Sequence, residues 1–398
     1  WQLLFKLKNK RMFFLSAFFF TACFFASCQT ASIEVGANAT KEYFPLLHSK
    51  KIGIVANHTS VIFKNKLQTR YTHLVDSLQN SGMDVQRVFS PEHGFRGNAD
   101  ASEHVSDGRD TQTGIPIVSL YGKNKKPGPA QLKDLDILIF DIQDVGVRFY
   151  TYISTLHYVM EACAENNIPL ILLDRPNPNG HYVDGPTLKM EHQSFVGMHP
   201  VPLVYGMTIG EYAKMIQGEQ WLKNKVLCDL TVIPLKNYTH QSSYHLPIRP
   251  SPNLPNDLAI NLYPSLGFFE GTTINAGRGT EFQFQRYGAP WFSKSAFSYT
   301  PKPNFGANYP KHSNKTCYGV DLSQHEKSAK VNIAWLQDAY QKTPNKEKFF
   351  GKTFTIHVGN RLLKKQLKKN YAISSIERSW KKDLKKFKKI REKYLRYP

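Results

Sequence analysis

Residues 135–174 read LDILIFDIQDVGVRFYTYISTLHYVMEACAENNIPLILLD. Leu135–Asp141 and Pro169–Asp174 are unbroken apolar runs, each closing on an aspartate, and runs that do not alternate belong to strands covered on both faces. Between them Ile153, Leu156, Met160 and Cys163 return on one side of a helix. The same texture extends upstream. Lys51–Ala56 (KIGIVA) reads as a buried strand ending at Asn57, Val85–Phe89 as a second and Ile115–Tyr121 (IPIVSLY) as a third. The spacing of Leu67, Tyr71, Leu74 and Leu78 predicts a helix, stopped by Gly82. Helices alternating with such strands make an α/β fold with a doubly wound, mostly parallel sheet.

From about Leu246 the texture changes to proline-rich, aromatic segments, LPIRPSPNLPN, YPSLGFFEGT and NAGRGTEFQFQRYGAPW. Proline breaks regular elements, so these read as ordered loops of a second, smaller C-terminal α+β domain. The expected organisation is a leader over 1–28, a spacer over 29–41, an α/β domain over 42–245 and a C-terminal domain over 246–398. The leader follows from Lys6, Lys8, Lys10 and Arg11 preceding the apolar run Met12–Phe25 and then Ala26-Ser27-Cys28. That is the order of a signal peptide, and a cysteine directly after small residues suggests lipid acylation at Cys28. The expected location is therefore outside the cytoplasmic membrane, on a lipid anchor.

The chain is strongly basic, with a formal charge of +21. Much of that excess is concentrated between Lys352 and Pro398, where sixteen Lys or Arg face three acids. No RNA- or DNA-binding signature accompanies the charge, and an exported protein rarely meets nucleic acid, so an anionic envelope surface suits it better. Trp380, Leu384, Phe387, Ile390 and Tyr394 also form a helical apolar stripe, which reads as a helix packed on its own domain with the lysines solvated. Cys163, Cys228 and Cys317 match no zinc spacing and no disulfide framework, and read as core.

In an open α/β sheet ligands bind beyond the carboxyl ends of the strands. The residues there are Asn57 and His58, Glu92 and His93, Tyr121, Gln143 and Asp144 with Arg148, and Arg175 with Asn177. The densest chemistry lies in Phe89–Gly97 (FSPEHGFRG), where a carboxylate, an imidazole and a guanidinium occupy a loop just past a strand. No G-x-G-x-x-G follows the first strand, and Walker A, G-x-S-x-G and zinc spacings are absent, which argues against nucleotide, nucleophilic-serine and zinc chemistry. No cofactor or metal is expected. Carboxylates without those signatures suit general acid/base work or glycoside hydrolysis, which needs a pair of carboxyl groups. Glu92 is the first choice, with Asp144, Glu270 and Glu281 each open as the second. Asn57, His93, Gln143, Tyr150, Asn177 and Asn253 are candidate substrate contacts. Tyr152 and Trp291 could stack on sugar rings, and Arg96, Arg148 and Arg278 could grip an anionic group.

Seven motifs in order, GIVANHTSV, FSPEHGFRG, DIQDVGVRFYTYISTL, LDRPNPNG with VDGPTL, GMTIGEYAKMI, PSPNLPN, and LYPSLGFFEGT with GRGTEFQFQ, resemble the exo-β-N-acetylmuramidase family called NamZ. The resemblance covers about residues 50–397, and SWKKDLKKFKKIREKYLRY is similar to that family's closing helix. It implies a Rossmann-like domain and a cleft where this meets the smaller C-terminal domain. It also implies an exo-acting glycosidase releasing N-acetylmuramic acid from peptidoglycan fragments, with the family's glutamate falling on Glu92. Muramic acid carries a lactyl carboxylate, which would give one of the three arginines its purpose. Two other readings use the same features: a cell-wall-sugar-binding protein without turnover, and an amidase or deacetylase on the same polymer.

Overall fold

The computed structural model describes residues 32–92, 94–96 and 107–398; the leader and Cys28 lie outside them. In chain order the elements are α1 (Thr40–Leu47), β1 (Lys51–Ala56), β2 (Val61–Phe63), β3 (Tyr71–His73), α2 (Leu74–Asn80), β4 (Asp84–Ser90), β5 (Gly108–Arg109) and β6 (Pro116–Ser119). There follow α3 (Pro129–Leu132), β7 (Ile137–Asp141), α4 (Tyr152–Glu165), β8 (Leu170–Leu173), α5 (Ile209–Gly218), β9 (Leu230–Ile233) and α6 (Asp257–Leu266). The remainder comprises β10 (Arg286–Ala289), β11 (Ser298–Tyr299), β12 (Cys317–Asp321), α7 (Ala334–Lys342), α8 (Lys346–Phe349), α9 (Phe354–Val358), α10 (Leu362–Lys368) and α11 (Ile373–Arg391).

One sheet runs β5-β6-β4-β1-β7-β8-β9, parallel except for the edge strand β5. Without β5, the order by appearance is 3-2-1-4-5-6, the doubly wound arrangement whose crevice opens between the first and fourth strands. Successive side chains point to opposite faces. Val55, Phe89, Leu138, Phe140 and Leu172 enter one apolar cluster, while Ile54, Val88, Ile139 and Leu173 enter another on the reverse face. The first cluster continues through α4, α5 and α6 to Phe354 and Trp380, so the sheet and the C-terminal region share one core. That region carries a small antiparallel sheet, β10-β12-β11, ringed by helices.

The helix expected across Leu67–Leu78 is only half present. Residues 61–73 form the hairpin β2–β3, and the helix begins at Leu74. Leu67 is 81% exposed and Tyr71 51%, so two of the four periodic positions bury nothing. The register of apolar residues coincided with a helical step, but the burial that makes such a step meaningful was missing. On α11 the stripe is real: Trp380 and Phe387 are buried, and Leu384, Ile390 and Tyr394 pack against the main core.

Two aspartates at strand ends organise the upper edge of the sheet. Asp141, closing β7, takes Nε and Nη2 of Arg175 at 2.6 and 2.8 Å, and Arg175 also donates to the Val61 carbonyl at 3.0 Å. Both partners are almost fully buried, so removing one leaves the other charge without compensation. Replacing Asp141 by Ala is expected to cost about 3–5 kcal/mol in a urea titration followed by circular dichroism. Leu67→Ala should stay within about 0.5 kcal/mol of the parent, as for other exposed positions.

Candidate active site

Pro91 ends β4, and a turn closed by the Gly94 N–H on the Pro91 carbonyl puts Glu92 just beyond the sheet. Thr151 and Tyr152, at the start of α4, fasten it there. The Thr151 hydroxyl donates to Oε2 of Glu92 at 3.1 Å, and the Tyr152 phenol donates to its backbone carbonyl at 3.4 Å. The Tyr152 oxygen in turn accepts Nδ2 of Asn57 at 2.9 Å, so the ends of β1 and β4 are tied through one tyrosine.

Glu92 looks into a cavity of about 720 Å³ including its open mouth. Phe149, Tyr150, Thr151 and Tyr152 form the wall from the sheet side; Ser251, Asn253, Tyr263, Glu270, Arg278, Phe284 and His357 come from the C-terminal region. The aromatic rings brace one another edge to face, with Tyr150–Tyr152 centroids 4.9 Å, Phe149–Tyr263 5.1 Å and Tyr263–Phe284 4.7 Å apart. Such packing gives a stiff apolar wall with hydroxyls at its edges. Tyr150 spends its hydroxyl on the Pro250 carbonyl at 2.7 Å, which pins the proline-rich loop to the wall.

Opposite, Glu270 sits on the turn after α6 and meets Nη1 of Arg278 at 2.9 Å. Burial alone would raise its carboxyl, but Arg278, Lys311 and His357 outweigh burial and hold it below the usual carboxylate range. Glu270 is therefore a standing anion. Burial depresses the Lys311 ammonium, and the charge of Glu270 offsets part of that; its Nζ donates to the Phe269 carbonyl at 2.6 Å. His357, also lowered by burial, places Nδ1 2.9 Å from the Thr353 carbonyl. That nitrogen carries the proton, leaving Nε2 an acceptor. Tyr263 lies between the two carboxylates: burial first, then the charges of Glu270 and Glu92, push its phenol far up. It stays a neutral donor.

Of the residues the sequence singled out, the cavity gathers Glu92, Tyr150, Tyr152, Asn253, Glu270 and Arg278. Asn253 donates to the Gly306 carbonyl at 2.6 Å, and Arg278 donates to the same oxygen at 2.9 Å. The others are placed elsewhere. Asn57 serves Tyr152 and the turn at Thr59; Gln143 donates to the carbonyls of Asp144 and Pro176; Asn177 donates to Met207 O and accepts from Asn179 N. These buried amides fill the crevice between β1 and β7, where a dinucleotide would lie in a related sheet. Arg175 is bound to Asp141, and His58 contacts the Arg249 carbonyl at 2.7 Å. Glu281 stands exposed on a turn outside the cavity lining, and Trp291 packs edge-on to His312 rather than on the wall. His93 lies outside the described residues.

Two of the three arginines are structural. Arg96 is held between Asp76 and Asp110, with Nη2 at 3.0 and 2.7 Å, and both carboxylates raise its affinity for its proton against the cost of burial. Arg148 is fully buried and donates to the carbonyls of Pro186, Val201, His357 and Val358 at 2.6–3.1 Å. Neither lines the cavity. Asp144 is also behind the wall, accepting from the Tyr205 hydroxyl and from Gly146 N at 2.8 Å. Gly146 itself has φ +76°, and a Cβ there would strike the Asn177 amide. Burial carries the Asp144 carboxyl up to about 6, with Tyr205 and the backbone holding it lower than burial alone would.

Periodicity gave no access to His357, Tyr263, Ser251 or Phe284, since they stand in a one-turn helix, beside an in-helix proline, and in irregular loops. Thr151 and Phe149 were inside the motif DIQDVGVRFYTYISTL but carried no chemistry of their own. Among the described residues, no group of three or more His, Cys, Asp or Glu could hold a metal ion.

Comparison with known proteins places these features in a family. Residues 52–258 match the model described as exo-beta-N-acetylmuramidase NamZ, N-terminal, and residues 261–397 the corresponding C-terminal model. The peptidoglycan beta-N-acetylmuramidase NamZ of Bacillus subtilis (strain 168) is 38% identical over 378 residues, 89% of each chain. Two crystal structures of DUF1343 family proteins from Bacteroides fragilis NCTC 9343 are similar along 92% of this chain. One has 46% identity and a TM-score of 0.84 and is covered over 99% of its length; the other has 29% identity and a TM-score of 0.78 and is covered completely.

The placement of Asp144 predicts a stability effect without a catalytic one. Its carboxyl titrates near 6 folded and near the ordinary 3.8 unfolded, so the folded state holds the extra proton between those values. Stability from this group is full below about pH 4 and is lost as pH rises through about 6. Asp144→Asn should remove that fall, by up to about 3 kcal/mol, in urea titrations across the window, and keep glycoside turnover. Arg148→Met should lower stability by at least about 3 kcal/mol through its four abandoned carbonyls.

Proposed function

Because the chain belongs to the exo-β-N-acetylmuramidase NamZ family, we propose that this cleft removes N-acetylmuramic acid from non-reducing ends of peptidoglycan fragments, with Glu92 as the proton-transfer group. The enzyme is an exo-acting glycosidase. The observation that carries the assignment of roles is the pairing in one cavity of two carboxylates with different surroundings, Glu92 on a hydroxyl and Glu270 on a guanidinium.

In this reading Glu92 gives its proton to the glycosidic oxygen as the bond to the anomeric carbon breaks, and the remainder of the glycan leaves as an alcohol. Positive charge then develops on the ring of the departing muramic acid. Glu270, kept anionic by Arg278 and Lys311, supplies fixed negative charge on that side of the cavity at no cost of reorganisation. Water attacks the anomeric carbon and returns a proton to Glu92. The rings of Phe149, Tyr150 and Tyr263 offer the sugar an apolar face.

Of the three candidate arginines only Arg278 lines the cavity, which makes it the partner for the lactyl carboxylate that separates muramic acid from N-acetylglucosamine. A guanidinium has five N–H donors in a planar fork. Arg278 directs one nitrogen to Glu270 and another to Gly306, so a substrate carboxylate would share a group already oriented. The leader pattern of residues 1–28, ending in Ala26-Ser27-Cys28, supports export and a lipid anchor at Cys28, which would put the enzyme on the same side of the membrane as its polymer.

Turnover of an aryl β-N-acetylmuramic acid glycoside and its N-acetylglucosamine counterpart tests both roles. Glu92→Gln is expected to lower kcat by about 10²–10⁴-fold. Arg278→Gln should lower the ratio of kcat/KM between the two glycosides by about 10–100-fold, the worth of a charge-assisted pair. An unchanged ratio would remove Arg278 from recognition. A parent chain that binds muramic acid fragments and cleaves neither glycoside would be a binding protein.

A further inference from the structure

The outward side of α11 has no role in the cleft, and its chemistry is one-sided. Arg378, Lys381, Lys382, Lys385, Lys386 and Lys389 are all exposed, and none has an acidic partner within 4 Å among the described residues. Asp383, the one acid within that run, is paired with Lys189 at 2.8 Å. Lysines four apart on a helix repel one another, and here Lys381 faces Lys385, Lys382 faces Lys386, and Lys385 faces Lys389. Among the described residues no acidic side chain relieves that repulsion. The helix also cannot roll to bury it: Trp380 and Phe387 are sunk in the core, the Trp380 indole donates to Asp184 at 3.1 Å, and Arg391 donates to the Gly206 carbonyl at 2.9 Å. The result is a rigid row of cations along a helix about 28 Å long.

The position of this row relative to the start of the described chain is the second observation. Asn237 donates to the Ser32 carbonyl at 3.1 Å, and Glu34 and Lys236 exchange backbone hydrogen bonds. A few residues on, the Tyr238 ring packs on Tyr397 at 5.2 Å, and His240 N–H donates to the Pro398 carbonyl at 2.7 Å. Ser32 therefore flanks the same short segment, 236–240, as Tyr397 and Pro398, which follow the end of α11 at Arg391 by six and seven residues. Three residues, Gln29, Thr30 and Ala31, separate Cys28 from Ser32.

We propose that the outward face of α11 is a docking surface for an anionic lipid bilayer. A chain attached to lipid at Cys28 is held at a membrane, and the lysine row would then meet the headgroups of that membrane. The choice of lipid over other polyanions rests on the anchored reading of Cys28; the cationic face itself does not. Each lysine near an anionic surface strengthens attachment, and the attraction falls off within a Debye length.

The test uses the chain from Gln29 onward, which keeps the whole compact unit Ser32–Pro398 and lacks the acylated cysteine. It is sedimented with vesicles of phosphatidylcholine alone and of phosphatidylcholine mixed with phosphatidylglycerol, over a range of salt. Binding to the mixed vesicles only, weakening as salt rises, is expected. The triple variant Lys382→Gln, Lys385→Gln, Lys389→Gln should bind those vesicles about 100-fold less tightly. It should hydrolyse a soluble aryl glycoside as the parent does, which shows the fold intact. Equal binding to both vesicle types, or a triple variant that binds the mixed vesicles as tightly as the parent, would overturn the proposal. Retention on purified peptidoglycan sacculi without binding to either vesicle would overturn it too, assigning the face to a wall polymer. Metabolic labelling of the full chain with a radioactive fatty acid, with and without Cys28→Ala, tests the anchor separately, so failure of the anchor and failure of the face are told apart.

Discussion

The cleft depends on one buried guanidinium. Arg148 leaves the segment after β7, reaches across the core and binds four carbonyls, two of them the consecutive oxygens of His357 and Val358 at the end of α9. A charge without a counter-ion is costly to bury, and what offsets that cost here is four charge-assisted hydrogen bonds from Nη1 and Nη2, while Nε has no partner. The wall residues Phe149–Tyr152 follow Arg148 directly in sequence, and His357 stands opposite them. The two sides of the cavity are thus tied together by a side chain outside its lining. Gly359 belongs to the same arrangement: its φ of +82° turns the chain away from α9, and a Cβ there would press on the Arg148 guanidinium.

Around that brace the charges divide by function. Carboxylates at the strand ends are taken up by donors from neighbouring elements, as Asp141 is by Arg175 just past β8 and Asp174 is by Thr208 and Gly210 at the start of α5. Glu270 is treated differently. Its cation comes from its own loop region and both partners keep an edge toward the cavity, so the ion pair is part of the site's field rather than of the fold. Glu92 stands at the other wall on a neutral hydroxyl. Two acids in one pocket, one of them ionised by its neighbours, suit a reaction that needs fixed charge and proton transfer.

Most of the sheet was legible in the sequence because a doubly covered strand leaves an unmistakable run, as in LDILIFD and PLILLD. The hairpin at 61–73 was not, since a helical step among Leu67, Tyr71, Leu74 and Leu78 carries no mark of which residues are solvated. The rim was legible as a place but not as a division of labour. Asn57, Gln143, Asp144, Asn177 and Arg148 sit where ligands bind in such sheets, yet each is consumed by buried backbone that needs partners. Sequence cannot tell a polar residue that serves the fold from one that serves the substrate when both occupy the same strand ends. Glu92 was accessible because Pro91 and Gly94 stop the strand and turn it outward; His357 was not, because only a contact across 209 residues, through Arg148, brings it to the cleft.

The last residues of the chain enter the centre of the molecule. The Tyr397 hydroxyl donates to Asp174 at 2.7 Å and accepts from Leu235 N, while the N–H groups of Arg396 and Tyr397 reach Glu211. Asp174 and Glu211 lie at the end of β8 and the start of α5, both made more than 180 residues earlier. During synthesis those two buried acids wait without their final donors until the ribosome has passed residue 397. The surroundings of Asp174 and Glu211 are thus completed across more than 180 residues, a sequence separation of the kind that slows folding.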